Sequence, residues 1–263
     1  MDSALARELH RLLSLAGDLA MRHFREAKPE HKRDGSLVTA GDRAVEALIV
    51  EGLERAFPED GIVAEEGTRV EPKANGGVWH VDPIDGTSAF VGGLAYWGPT
   101  ICRVRDGELE VGAFYVPRLD EFWYAAKGQG AWRNEERLQP DLNAAVGPES
   151  ILLAPSRFHL AGPVPWPGKV RALGSGAAHL ALVASGGGVL TAMPSWALWD
   201  VGCGVLLVRE TGLVIRDLSG APVVPEAETP GTPFLAGTES ALRILTADDW
   251  AASVLRRRRR RET

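Results

Sequence analysis

Hydrophobic positions near the start of the chain repeat at the spacing of a helix. Apolar side chains recur every three or four residues between positions 3 and 26, and again between Ala40 and Phe57. This periodicity predicts two amphipathic helices that each bury one face. Pro29 ends the first helix and Pro58 ends the second, because proline cannot continue a helix.

Short apolar runs separated by turn residues follow the second helix, and they predict strands. Two of these runs flank Asp106-Gly107, a pair that is typical of a hairpin turn. A glycine-rich turn at 127–130 follows the last run. The predicted strands of this region are 61–64, 78–81, 101–105, 109–116 and 122–126.

A stretch rich in Pro, Gly and Asn at 139–148 divides the chain. Such a composition is typical of a boundary, so we expect an N-terminal metal- and phosphate-binding lobe at 1–145 and a C-terminal α/β lobe at 146–263 that completes the site. We expect the arginine-rich tail 256–263 to be disordered. The second lobe is predicted to alternate strands at 151–154, 170–173, 188–192, 213–216 and 234–236 with helices at 177–184, 200–211 and 238–255.

The composition narrows the class of protein. With 263 residues, of which 45% are hydrophobic, the chain can bury a large core. The net charge is −6 even though six arginines lie in the tail, so the rest is more acidic and nucleic acid is not expected as a partner. Cys102 and Cys203 lie in apolar segments without a CxxC pattern, which predicts reduced thiols. No signal peptide or membrane-spanning run is evident, and we predict a cytoplasmic protein without a membrane partner.

The segment 79–87 carries the strongest chemical signal. An apolar strand leads into Asp82 and Asp85, with Pro83 between them. Pro83 favours an extended Asp82, so we expect a sharp turn at which both carboxylates and the Ile84 carbonyl converge. Hard divalent cations prefer such oxygen ligands. Taken alone, such a pattern is more often a solvated Asx turn than a metal site.

Further acids lie at the ends of separate predicted elements. Glu65 follows a strand, whereas Asp42 and Asp200 each lie at the start of a helix. If these carboxylates meet, their repulsion raises their pKa values unless a counterion is present. Two or more Mg²⁺ ions would provide it, in the arrangement that serves phosphoryl transfer. Gly86-Thr87 opens the next segment, where backbone N–H groups could hold a phosphate.

The sequence resembles the inositol monophosphatase family of metal-dependent phosphatases. The resemblance rests on motifs that occur in the family's order over nearly the whole chain. The matching motifs are Leu37–Asp42, Ala64–Gly67, Val81–Thr87, Lys127–Trp132, Leu173–Ala178 and Trp199–Gly202. It implies an α+β fold, a layered αβαβα sandwich, and Mg²⁺-dependent hydrolysis of a small phosphorylated metabolite by a homodimer.

The resemblance also implies which residues hold the metal ions. Glu65, Asp82, the Ile84 carbonyl and Thr87 would surround the first Mg²⁺. Asp82 and Asp85 would hold the second ion together with Asp200. Glu65 would share a third, weaker ion, which gives two or three ions in all.

The implied catalytic residues are Thr87, Asp42 and Glu65. Thr87, paired with Asp42, would orient the attacking water. The backbone N–H groups of Gly86 and Thr87 would bind the phosphate. Gly174-Ser175 would also border the substrate.

The substrate is less constrained than the chemistry. An inositol-1-phosphate-type monoester is the first expectation, but Met193 stands about where an inositol-processing member places a glutamate. Residues 96–100 and 122–126 are similar to histidinol-phosphate phosphatases of the same superfamily, so histidinol phosphate is an alternative substrate. A second alternative is a regulatory or binding member of the family that needs no catalysis.

Overall fold

The chain folds into five stacked layers. The computed structural model describes residues 3–25, 28–32, 35–158, 162–227 and 232–246. The first layer pairs helices α1 (Ala4–His23) and α2 (Ala40–Ala56). Both helices match the predicted periodicity, and the side chains of Ser3 and Thr39 cap their first turns by accepting backbone N–H bonds. A short hairpin of β1 (Glu30–His31) and β2 (Leu37–Val38) connects them.

An eight-stranded sheet forms the second layer. Its strands are β3 (Gly61–Ala64), β4 (Arg69–Val70), β5 (Val78–Asp85), β6 (Gly98–Arg105), β7 (Glu108–Val116), β8 (Glu121–Ala126), β9 (Gly130–Arg133) and β10 (Glu136–Arg137). Their order is β10-β9-β8-β7-β6-β5-β3-β4, and β3 and β5 run parallel while the other neighbours are antiparallel. The five-residue helix α3 (Thr87–Val91) follows β5.

Two helices separate this sheet from a second one. Helices α4 (Gly176–Ala184) and α5 (Leu198–Glu210) form the middle layer, and α6 (Glu239–Thr246) lies on the outer face. The five-stranded sheet consists of β11 (Ile151–Leu153), β12 (Lys169–Arg171), β13 (Leu190–Met193), β14 (Val214–Asp217) and β15 (Phe234–Gly237), in the order β12-β11-β13-β15-β14. The predicted α+β sandwich with αβαβα layers is therefore confirmed.

The core follows from alternation along the strands. In β8, Phe122 and Tyr124 pack toward α1 and α2, whereas Trp123 and Ala125 pack toward α4 and α5. A third cluster lies between the small sheet and α6. Helix α5 is apolar around most of its circumference because it lies between two sheets.

The structure differs from the predicted elements at several points. The expected sharp turn at 82–85 is instead a bulged continuation of β5, described with the site below. Helix α5 begins at Leu198 rather than Asp200, and β12 ends at Arg171 rather than at 173. Helix α3 and the hairpin β1–β2 were not predicted, because two- to five-residue elements carry too little periodicity.

Some expectations lie beyond what the structure describes. The predicted last helix is seen from Glu239 to Thr246, whereas 247–255, like the tail 256–263, lie outside the described residues. The lobe boundary at 145 stays a prediction. No helix within the described ranges has the length and apolar character needed to cross a membrane.

Close packing of α5 on the large sheet generates a first prediction. A Cβ on Gly112 would lie 2.6 Å from the Cα of Cys203, which is backbone and cannot rotate away. We expect Gly112→Ala to lower the free energy of unfolding by about 1–3 kcal/mol, the usual effect of overpacking. Chemical denaturation measures this change. Gly147→Ala is the control, because nothing lies within 4 Å of its added Cβ; equal stability of both variants would contradict the packing described here.

Candidate metal and active site

Three carboxylates from three different elements meet in one place. Glu65 follows β3, Asp82 lies in β5 and Asp200 lies in the first turn of α5. Each offers an oxygen atom, and these three atoms all lie within 4.8 Å of one another. The structure thus brings together acids that are up to 135 positions apart in the sequence.

A β-bulge orients the pair in β5. Asp82 is opposite Thr100 and Asp85 is opposite Gly98, so β5 holds one residue more than β6 across this interval. Residues three apart in a regular strand point to opposite faces, and the extra residue restores a common face. The Asp82 carboxylate also accepts the Ile84 N–H at 2.8 Å, which fixes its orientation.

Without a bound cation, the negatively charged form of the Asp82 carboxylate is strongly disfavoured. Its side chain is 3% exposed. Burial, followed by the nearby carboxylates of Glu65, Asp85 and Asp200, raises the pKa of Asp82 well above its ordinary value. A bound cation would reverse this preference.

Asp200 is held by the start of its own helix. Its carboxylate accepts the backbone N–H of Ala197 at 2.8 Å, in the manner of a capping residue. Burial and the charge of Asp85 nevertheless raise the pKa of Asp200 to about 8. This capping bond explains why α5 begins two residues before Asp200.

Asp85 faces the start of α4. Ser175 donates its hydroxyl to the Asp85 carboxylate at 2.5 Å, and the N–H groups of Ala177 and Gly176 donate at 2.8 and 3.3 Å. Burial raises the pKa of Asp85 to about 6, although these three hydrogen bonds oppose the shift. Ser175 was expected beside the phosphate, but its contact with Asp85 was not predicted; a serine at the N-cap of a helix was the available signal.

A lysine contributes positive charge to the acidic group. Lys32 donates to Glu65 and Glu66 at 2.7 Å each. Burial works against the charged form, but the two carboxylates outweigh it and raise the pKa of Lys32. The pKa of Glu66 is also raised, because burial exceeds the effect of the lysine.

Thr87 and Asp42 lie beside the carboxylates. The Thr87 hydroxyl is 3.3 Å from Asp42 Oδ1 and 3.2 Å from the Ile84 carbonyl oxygen. The other Asp42 oxygen accepts the hydroxyl and the N–H of Thr39, at 2.6 and 2.7 Å. Burial raises the pKa of Asp42, and these bonds oppose it. The predicted pair of Thr87 and Asp42 is therefore in contact.

The remaining predicted residues form the adjoining wall. Gly86 has φ +91°, and a Cβ there would lie 3.1 Å from Ser175 and 3.2 Å from the Gly174 carbonyl. Gly174 has φ +97°, and a Cβ there would lie 2.9 Å from Ala89. Both positions favour glycine because of this conformation and this close approach. Ser175 is fully buried, with its hydroxyl engaged by Asp85 and by the Ala178 N–H.

The donor set fits Mg²⁺. The ion takes hard oxygen ligands at about 2.0–2.1 Å and usually binds through one or two carboxylates plus water. The group of Glu65, Asp82 and Asp200 offers only carboxylate oxygens, without sulfur or imidazole. Burial first, and then the neighbouring carboxylates, raise the pKa values of Asp82 and Asp200. A bound cation would favour their charged forms.

His179 in α4 lies near the site and has a structural role. His179 is 2% exposed and its Nε2 accepts the Leu173 N–H at 3.0 Å, so it is neither on the helix surface nor free to contact substrate. Burial lowers the pKa of His179 to about 4. His179 is inaccessible because α4 is buried between two sheets.

Comparison with known proteins gives one consistent result. The family model described as inositol monophosphatase family matches residues 3–242. A Thermotoga maritima protein named fructose-1,6-bisphosphatase/inositol-1-monophosphatase is 32% identical, covering 80% of this chain and 83% of its own length. A Chlorobaculum parvum histidinol-phosphatase is 31% identical, covering 86% and 90%. The solved structure of a Thermotoga maritima IMPase matches with a TM-score of 0.80 and 28% identity, covering 95% of this chain and 96% of that one.

The raised pKa of Asp200 predicts a pH dependence of stability. In the unfolded, metal-free chain, the Asp200 carboxyl group loses its proton at about pH 3.9. In the folded, metal-free protein it keeps this proton up to about pH 8. The contribution of this group to the free energy of unfolding therefore decreases as the pH rises from the first of these values to the second. We expect Asp200→Asn, measured in EDTA by urea denaturation, to gain stability relative to wild type from pH 5 to pH 8, on the order of a few kcal/mol.

The exposed turn residue Asp106 provides a matched control for this measurement. Asp106→Asn makes the same chemical change away from the acidic group and should leave the pH profile parallel to that of wild type. A parallel profile for Asp200→Asn as well would contradict the raised pKa.

Proposed function

Since the chain belongs to the inositol monophosphatase family and is a phosphoric monoester hydrolase, we propose that it hydrolyses an inositol-1-phosphate-type monoester with Mg²⁺ and an activated water. One observation supports this most directly: the oxygens of Glu65, Asp82 and Asp200 lie within 4.8 Å of one another. Beside them, the Thr87 hydroxyl donates to Asp42 at 3.3 Å.

The proposed metal ligands are those expected from the sequence. Glu65, Asp82, the Ile84 carbonyl and Thr87 would hold one ion, and Asp82 with Asp85 and Asp200 a second; Glu65 would share a third. When bound there, Mg²⁺ supplies charge neutralisation for the phosphate oxygens and lowers the pKa of a water. Asp85 would need to exchange part of its bonding to α4 for the ion, and its raised pKa shows that this bonding leaves its charge only partly compensated.

The chain's own groups orient the reactants. The Thr87 hydroxyl can donate to Asp42 Oδ1, which leaves its lone pairs to accept a hydrogen bond from the attacking water. Asp42 holds this hydroxyl in place because Thr39 fixes its other oxygen. The backbone N–H groups of Gly86 and Thr87 would bind the phosphate beside Gly174 and Ser175. No covalent phosphoenzyme is proposed.

The identity of the leaving group has a serious alternative. Met193 Sδ lies 3.9 Å from the place of a Cβ on Gly176, next to the segment that binds Asp85. A thioether is a weak acceptor for a polyol hydroxyl. This position, and the 31% identical relative named histidinol-phosphatase, favour histidinol phosphate as the second candidate. We expect a homodimer in either case, and no nucleic-acid partner because of the acidic composition.

A substrate panel tests the proposed activity. We expect the purified chain to release phosphate from inositol-1-phosphate with Mg²⁺ and to lose this activity in EDTA. The panel also contains histidinol phosphate, fructose-1,6-bisphosphate and adenosine bisphosphate, and faster release from one of them would reassign the substrate. Release from none would favour the non-catalytic, regulatory alternative.

Substitution of Asp85 tests the metal assignment within the same assay. We expect Asp85→Asn to lower turnover by at least about 100-fold, more than the loss of an outer ligand contact costs. Asp106→Asn, an exposed change of the same kind, should leave turnover unchanged. Near-normal Mg²⁺-dependent activity in Asp85→Asn would remove Asp85 from the proposed site.

The Thr87 hydroxyl provides a test of water orientation. Thr87→Val keeps the shape of the side chain but removes the donor to Asp42, so we expect kcat to fall by about 10²-fold or more. Thr87→Ser keeps the hydroxyl and should retain most of the activity. Steady-state kinetics compares the two variants, and equal kcat values for Val and Ser would show that the hydroxyl is dispensable.

A further inference from the structure

A buried glutamate outside the proposed ligand set faces the turn that carries Glu65. Glu46 lies in α2, one helical turn after Asp42, and is 4% exposed. It is flanked by Val45 and Ile49 on the buried stripe of the helix. A buried carboxylate is costly unless it is hydrogen-bonded, so its partners show what it does.

Within the described residues, the hydrogen-bond partners of the Glu46 carboxylate all lie in one turn. Oε2 accepts the N–H of Glu66 at 2.7 Å. Oε1 accepts the Thr68 hydroxyl at 2.6 Å and the Thr68 N–H at 3.2 Å. The carboxylate therefore connects α2 to residues 66–68 through three hydrogen bonds, and bonds to a charged acceptor are among the stronger ones.

Hydrogen bonds hold the backbone of this turn at Glu65 and at the next residue, Glu66. The Glu65 N–H donates to the Val81 carbonyl at 3.0 Å, next to Asp82 in β5. On the other side, the following N–H, that of Glu66, is held by Glu46. The turn is closed by a bond from the Ala64 N–H to the Thr68 carbonyl at 2.9 Å. The backbone on both sides of Glu65 is thus fixed, and its carboxylate lies with those of Asp82 and Asp200.

We propose that Glu46 is a positioning residue for the metal site: it holds the 65–68 turn so that Glu65 faces Asp82 and Asp200. Because Asp42 lies one turn earlier on the same helix and bonds Thr87, α2 then orients both a metal ligand and the water-orienting hydroxyl. This inference rests on the proposed Mg²⁺-dependent function and adds a determinant of its metal affinity.

Glu46→Gln tests the proposal with little change in volume. The amide has one acceptor and one donor end, so in either orientation a donor end faces the N–H of Glu66 or that of Thr68. We expect the Mg²⁺ dissociation constant of the full chain, measured by calorimetry without substrate, to rise about tenfold or more, as when an outer partner of a ligand is lost.

Two comparisons separate positioning from general stability. Glu51→Gln makes the same change on the exposed face of α2, where the side chain is 73% exposed, and should leave Mg²⁺ affinity unchanged. Thr68→Val removes one donor to Glu46 and should weaken Mg²⁺ binding in the same direction, whereas Thr68→Ser keeps the hydroxyl and should restore it. This Val and Ser pair decides the question if Glu46→Gln does not fold.

The outcomes distinguish this inference from the function on which it rests. Wild-type Mg²⁺ affinity in Glu46→Gln, even with a lower melting temperature, would show that Glu46 only stabilises the fold and would overturn the proposal. Equal affinities for Thr68→Val and Thr68→Ser would do the same. Failure of the wild-type chain to bind Mg²⁺ would overturn the proposed metal dependence, and this inference with it.

Discussion

Repulsion between buried and partly buried carboxylates is the constraint on which this site depends. Glu65, Asp82, Asp85 and Asp200 lie in a partly dehydrated region where like charges are screened only weakly. The protein offsets part of this charge with Lys32 and with the three donors around Asp85. Burial, followed by the neighbouring carboxylates, nevertheless raises the pKa values of Asp82, Asp85 and Asp200. A divalent cation is the natural complement to this arrangement, which explains why the acids are kept together despite their mutual repulsion.

The layered fold supplies the rigidity that such an arrangement needs. Helix α5 brings Asp200 to the site from its first turn, and at its last residue Glu210 accepts the N–H groups of Gly128 and Gly130 at 2.8 and 2.7 Å. Both ends of the helix are therefore tied to their surroundings. Helix α2 lies on the opposite face of the large sheet and contacts the site through Asp42, which bonds Thr87, and Glu46, which bonds the turn after Glu65. The site is formed between these two helices and the end of β5.

The features of the fold and the site that depend on local sequence patterns could be predicted, whereas those that depend on long-range contacts could not. The apolar stripe of α2 and the hairpin at Asp106-Gly107 are local patterns, and both agree with the structure. The motif around Asp82 and Asp85 identified the chemistry by resemblance. The bulge in β5 could not be predicted, because it depends on pairing with β6. The Ser175–Asp85 bond joins residues 90 positions apart and depends on tertiary packing. Glu46 did leave a signal, since a charged residue within an apolar stripe needs buried partners.

The central claim is that these carboxylates form one binding site for divalent cations. Anomalous diffraction from crystals grown with Mn²⁺ in place of Mg²⁺ tests it directly, because the scattering locates the ions independently of any activity. We expect at least two anomalous peaks, one bonded to Glu65 and Asp82 and one bonded to Asp82, Asp85 and Asp200. Crystals saturated with Mn²⁺ that show no peak at these oxygens, or peaks only at other acidic residues, would contradict it.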